Sequence, residues 1–383
     1  MFRRSLLLAS AAIGAAGALP AAAQQRVTLN VLTAGDQNMV DYITDYLGPM
    51  FQRQNPGVTV RAIGTGPGDA GSQRIWERLE AQRRAGTQAV DVDVAVVHQA
   101  MAGKMVSEGM LARYRDQAQT GNLATSPVTR NALGQNVDGY VIPMFNSQVA
   151  IAYNPERVQN PPTSFQQLEA WAKDHPKRFG YNGIRGGMSG VGFVFGWAYA
   201  FGPDQKRLIE GPYDAEAVAA LTPALQRLRE FNRNVTITGG NAGTLDSLNR
   251  GEIDMGPVWM DMFYTWQSEG RLSPSLRLVL PESGLPGQPM YYVIPTNAAH
   301  AEAARKFIEL ATSPQVQAEG IVRRFNWLPG IDAQHVRQYL DQQTWDRLFR
   351  DVPPEALQRG SRPMPQAEFF RAIQEAYERV VLN

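Results

Sequence analysis

"GYVIPMFNSQVAIAYNPERVQNPPTSFQQLEAW", Gly139 to Trp171, sets two extended apolar stretches on either side of Phe145-Asn146-Ser147. Pro161-Pro162 then stops the chain, and Thr163 or Ser164 can cap an amphipathic helix around Phe165 to Ala172. This texture reads as a crossover from one domain into a second. Asn146 and Ser147 lie on the crossover itself, where polar groups either satisfy hinge backbone or touch a bound solute.

Upstream of the crossover the chain alternates between two periods. "VTLNVLT" alternates apolar and polar residues, and "MVDYITDYLGPMFQRQNP" carries its apolar residues at helical spacing. A second strand in "GVTVRAIGTG", a helix in "SQRIWERLEAQRRAG" ending at Gly86 and a third strand in "VDVAVVH" follow. Such alternation builds an open, mainly parallel α/β sheet covered by helices, whose ligands sit outside the carboxyl ends of the strands. The loops of interest are therefore Thr33 to Asn38, Thr65 to Ser72 and His98 to Gly103. Asp36 and His98 become candidate ligand contacts, against the plainer readings of a helix-capping acid and an ordinary loop histidine.

The 383 residues contain no cysteine and carry a formal charge of +1. "MFRRSLLLASAAIGAAGALPAAAQQ" has two arginines, an uncharged apolar stretch and the small-x-small site Ala21-Ala22-Ala23 before Gln24, so residues 1–23 read as a signal peptide. Arg3-Arg4 also satisfies a minimal twin-arginine pattern. No thiol is present to receive a lipid, so a released periplasmic protein without a membrane anchor is expected. Loss of residues 1–23 leaves one more acid than base, a balance that attracts neither nucleic acid nor an anionic membrane. The remaining length exceeds what one core usually supports, so two domains are expected.

"IRGGMSGVGFVFGW", Ile184 to Trp197, crowds glycines around Ser189 ahead of an apolar run. Its spacing fits neither a dinucleotide fingerprint nor a phosphate loop, and Val191 stands where a nucleophile elbow needs glycine. Four scattered histidines, His98, His175, His300 and His335, give no metal-ligand spacing and none is placed by a motif beside Ser189. A secreted hydrolase using Ser189 is kept as the alternative from another class. No cofactor is expected.

The crossover, with Tyr153-Asn154 and "NPPTSFQQLEAW", resembles bacterial extracellular solute-binding proteins of family 1, periplasmic receptors of ABC importers related to the maltose-binding protein. Three more segments match in order: "LNRGEIDMGPVWMDMF", "LPESGLPGQPMYYVIPTNAAHAEAARKFIELATSPQVQAEG" and "RPMPQAEFFRAIQEAY". "PPTSFQQLEAWAKDHPKRFGY" is nearer a subgroup described as thiamine-type, and "RGGMSGVGF" departs from the sugar-binding members.

The resemblance implies a type II periplasmic-binding-protein fold, two α/β lobes joined by crossover hinge strands. Residues 27–143 plus 288–325 would form lobe I, residues 147–283 lobe II, and residues 326–383 C-terminal helices bracing mainly lobe II. It places the glycine-rich stretch on the cleft, where Gly187, Gly190 and the Ser189 hydroxyl would face ligand at a helix N-terminus. Trp259 would stack on ligand, Asp261 would bind hydroxyls or a cation, Arg324 and Trp327 would approach from the first lobe, and Phe369 or Phe370 would approach the cleft from the closing helix. The implied function is a monomeric receptor that closes over a small-molecule solute and delivers it to an ABC permease in the inner membrane. A sugar or polyol leads as solute, followed by a cationic vitamin or polyamine and then an organophosphate.

Overall fold

The computed structural model describes residues 26–383, so the expected signal peptide, residues 1–23, lies outside the described residues. Two twisted sheets organise the chain. In the first, strands lie in the order Leu328–Pro329, Ile142–Asn146, Met290–Val293, Val94–His98, Val27–Ala34, Val58–Gly66. The last three run parallel, and Met290–Val293 enters antiparallel between Val94–His98 and Ile142–Asn146. The second sheet has the order Arg277–Val279, Val149–Tyr153, Met255–Trp259, Phe179–Tyr181, Val235–Ile237. It is the α/β fold of two sheets that the crossover implies.

Only Ser147 and Gln148 separate strand Ile142–Asn146 of the first sheet from strand Val149–Tyr153 of the second. The chain returns through Gly287 and Gln288, and the two crossings bind each other: Gln288 N–H donates to the Ser147 carbonyl at 2.8 Å and Ser147 N–H to the Gln288 carbonyl at 3.3 Å. A third passage follows strand Leu328–Pro329, after which the chain leaves the first sheet for the C-terminal helices.

Side-chain alternation along the second sheet separates two cores. Val149 and Ile151 face one, with Met255 and Trp259; Ala150 and Ala152 face the other, with Val258. Helix Ala367–Tyr377 covers the former through Phe369, Ile373 and Tyr377, while helix Gln342–Phe349 covers the latter through Leu348 and Phe349. Phe369 is therefore core, not cleft. Pro257 brings no N–H to the ladder. Its strand keeps full register with Val149–Tyr153 but meets Phe179–Tyr181 at one pair, Met255 with Phe179.

Helix Phe165–Asp174 starts as its sequence requires, with the Ser164 hydroxyl accepting from Gln167 N–H at 3.2 Å. The apolar run after the glycines forms helix Met188–Phe201, and Phe193, Phe195 and Trp197 are fully buried along it. A helix buried on all sides has no polar face, which is why its sequence shows no amphipathic period. Two expected loops are largely regular structure instead: Thr65 to Ser72 is strand through Gly66 and helix from Gly68, and after His98 the chain enters helix Gln99–Ser107 directly. No side chain caps that N-terminus, so the sequence carried no start signal there.

Candidate functional site

The carboxyl ends of the parallel strands of the first sheet carry Asp36, Asp69 and His98. Asp36 occupies the N-cap position of helix Gln37–Asp41 without accepting a hydrogen bond there, and it is exposed. His98 lies 3.8 Å from the Asp69 carboxylate through Nδ1. Burial lowers its pKa below the ordinary histidine value, and Asp69 opposes that shift.

On the second sheet, the strand end at Trp259 leads into helix Met260–Ser268. Trp259 is only 8 % exposed and packs in the core with Met255 and Phe193. The expected stacking surface is turned inward. Asp261, in the first turn of that helix, is half-buried and accepts the Ser147 hydroxyl. Burial raises its pKa above the usual aspartate range against the Ser147 hydrogen bond and the backbone N–H groups of Asp261 and Met262. Among the described residues no ion pair reaches Asp261.

Residues 261, 265 and 268 fall on one face of helix Met260–Ser268. The Thr265 hydroxyl donates to the Phe325 carbonyl at 3.2 Å, and Asn326 Nδ2 donates to the Ser268 hydroxyl at 3.1 Å. That docking sets Trp327 beside the crossing, half-buried between Phe145 and Phe325 with ring centroids 4.4 and 4.5 Å away. Asn146 donates through Nδ2 to the Pro329 carbonyl at 2.7 Å. Arg324 is exposed at the edge of this segment, 6.0 Å from the Phe325 ring.

The structure thus gathers Asn146, Ser147, Asp261 and Trp327 around the crossing, with Arg324 nearby. The glycine-rich group is elsewhere and differently employed. Ser189 is fully buried, and its hydroxyl donates to Asn241 Oδ1 at 2.8 Å, which also accepts from Ser189 N–H at 3.1 Å and Asn182 Nδ2 at 3.0 Å. The helix N-terminus expected to greet a ligand is capped from inside by Asn241. A Cβ on Gly190 would lie 2.1 Å from both Asn182 Oδ1 and the Gly183 carbonyl, so the close approach this glycine permits is to its own turn. Gly187, with φ of 150°, leaves room for Asn241 and Asn182 in the same way. With its hydroxyl sealed on an amide, Ser189 has no means of acting as a hydrolytic nucleophile.

Sequence reasoning missed Asn182, Asn241 and Thr265. Thr265 was accessible through the four-residue spacing from Asp261 on a helix. The two asparagines belong to different strand-to-helix turns, and no local pattern ties one to the other.

A family description, Bacterial extracellular solute-binding protein, matches residues 48–330. No curated protein matched the sequence. Among solved structures, the spermidine/putrescine ABC transporter substrate-binding protein PotD from Streptococcus pneumoniae is similar with a TM-score of 0.64 at 15% identity, covering 92% of this chain and 99% of that one. An ABC transporter from Clostridium perfringens gives a TM-score of 0.65 at 16% identity, covering 92% of this chain and 99% of that one. Maltose-bound T. maritima MalE3 gives a TM-score of 0.64 at 18% identity, covering 93% of this chain and 98% of that one. At such identities the likeness shows the fold, a periplasmic-binding-protein fold, while the family match extends over most of the chain. The protein belongs to the bacterial extracellular solute-binding proteins, and its work is binding, not catalysis.

Proposed function

We propose that this protein is the periplasmic receptor of an ABC importer, closing as a monomer around a small polar solute between its two sheets and presenting it to a membrane permease. Support comes from the paired crossings, which join two separate sheets through a few residues, and from structural neighbours described as parts of ABC transporters. The lobes we assign are residues 27–143 with 288–325, and residues 147–283, with residues 326–383 bracing mainly the second. Ligand touching both lobes favours closure by its differential affinity for the closed state.

The favoured solute is an organic cation, and the observation that carries it is Asp261. A carboxylate whose pKa is raised by burial, with no protein cation beside it, gains most from a ligand that supplies the positive charge. The half-buried Trp327 adds an aromatic face to the same region. A sugar or polyol is the second reading, favoured by that same indole; the inward turn of Trp259 removes the other platform it needed. The organophosphate reading retains only Arg324, because Asn241 occupies the helix entrance.

A thermal-shift screen with putrescine, maltose and glycerol phosphate tests this. A ligand at 100 times its Kd adds about 2.7 kcal/mol of stability. The amine is expected to raise the melting temperature; a response to maltose alone would replace the cation by the sugar.

A further inference from the structure

Along the first crossing, side chains alternate between two faces. Phe145 stacks on Trp327 and Ser147 donates to Asp261 on one face. A cavity of about 360 Å³, lined by Asn146, Ser147 and Gln148, lies between the crossing and the C-terminal segment. Its walls include Val128, Leu328, Ile331, Trp345, Phe349 and Leu357, a predominantly apolar enclosure within the size range of small-molecule sites.

Three of its lining residues each hold one buried polar atom without a hydrogen-bond partner: Ser126 Oγ, Asn146 Oδ1 and Gln148 Oε1. Gln148 is 2 % exposed. The carbonyls around the amides fix which way they face. Asn146 Nδ2 is held by the Pro329 carbonyl, and Gln148 Nε2 donates to the carbonyls of Val149 at 2.8 Å and Leu285 at 2.9 Å. Both amide oxygens are therefore left as acceptors. They sit sealed in the wall, so a ligand that satisfies them must displace a lining side chain and bring an O–H or N–H donor.

The charged groups of the lining are already engaged or exposed at its rim: Asp332 accepts from Thr125 N–H and hydroxyl with its two oxygens, Arg337 lies over Trp345, 5.0 Å from its ring, and donates to the Leu340 carbonyl at 3.2 Å, and Glu355 is exposed. What the apolar walls leave inside are neutral acceptors, which suit a neutral donor. We propose that this cavity, whose lining does not include Asp261, is a second ligand site for a small neutral alcohol with an apolar ring or chain.

Titration of the full chain with benzyl alcohol, followed by methyl NMR of Leu328, Ile331 and Leu357, tests the proposal. Saturable shifts at those methyls are expected, with toluene binding about fivefold more weakly, the equivalent of one net hydrogen bond. Benzylamine and benzoate are expected to bind more weakly than benzyl alcohol as well. Asp261→Asn should leave the titration unchanged, which separates this cavity from the cleft. Leu357→Trp, which fills the cavity, and Glu355→Trp, which covers its exposed rim, should each abolish the shifts. The idea is overturned by an absence of saturable shifts, by equal affinities for toluene and benzyl alcohol, or by shifts that persist in either folded Trp variant.

Discussion

The Ser147 hydroxyl, on the first crossing, donates to the carboxylate of Asp261, in the first turn of helix Met260–Ser268. One hydrogen bond thus ties the strand that passes between the sheets to the helix that begins at the central strand of the second. Its pH behaviour follows from burial, which raises the Asp261 pKa above the unfolded value. For such a group the stability contribution is complete below the unfolded pKa, about 4, and is lost as pH rises through the folded-state pKa. Asp261→Asn should remove that loss and leave the empty protein at least as heat-stable as the parent at neutral pH. A cationic solute reverses the preference: its affinity should grow as pH rises through the same window and vanish in the Asn variant. Calorimetry with putrescine across that window measures both, and a pH-independent affinity would remove Asp261 from the site.

His98 behaves in the opposite sense. Burial places its folded-state pKa below the ordinary histidine value of about 6.5, so the unfolded chain takes up a proton first and stability falls as pH drops through that value. His98→Gln should flatten the melting-temperature profile between about pH 5 and 7. An identical slope in the variant would show that another group carries the dependence.

Gly190 and Ser189 should report on folding and leave binding alone. Alanine at Gly190 gains about 1 kcal/mol of helix propensity, yet its Cβ meets two oxygens at 2.1 Å, one of them backbone. Overpacking of that kind costs about 1 to 3 kcal/mol or more, so a net loss of stability is expected. Ser189→Ala should cost about 1 kcal/mol, and Asn241→Ala more, because it strands the Ser189 N–H and the Asn182 amide. Urea unfolding of the three variants gives the order, and a ligand affinity reduced at unchanged stability would return these residues to the cleft.

The two tryptophans should separate cleanly. Trp259→Ala empties a core position and should destabilise the protein by about 3 to 5 kcal/mol. Trp327→Ala removes a half-buried ring from a three-ring stack and should lower solute affinity more than it lowers stability. Measuring Tm and Kd for each variant decides the matter: the reverse pattern would put the stacking surface back at Trp259.

The strands, the crossover and the Ser164 cap were legible because each rests on a local pattern: period-two alternation, a polar break between apolar runs, a hydroxyl three residues ahead of its partner N–H. The burial of Trp259 was not, since its strand is covered by helix Ala367–Tyr377, more than a hundred residues away in sequence by rough count. Asn241 belongs to the same class of miss. It reaches Ser189 only because two parallel strands deliver their following turns side by side, a relation that pairing register creates and composition does not.

The place of Met290–Val293 inside the first sheet also dictates an order of events in time. Until that strand exists, Ile142–Asn146 and Val94–His98 have nothing between them to pair with. The ribosome therefore finishes nearly the whole second sheet before the first can close, and the N-terminal half of the chain waits as an open, three-stranded platform. Contacts so distant in sequence are reached slowly, since loop-closure entropy must be overcome before they form. The first sheet is thus the last to lock, and it does so only when its late strand arrives.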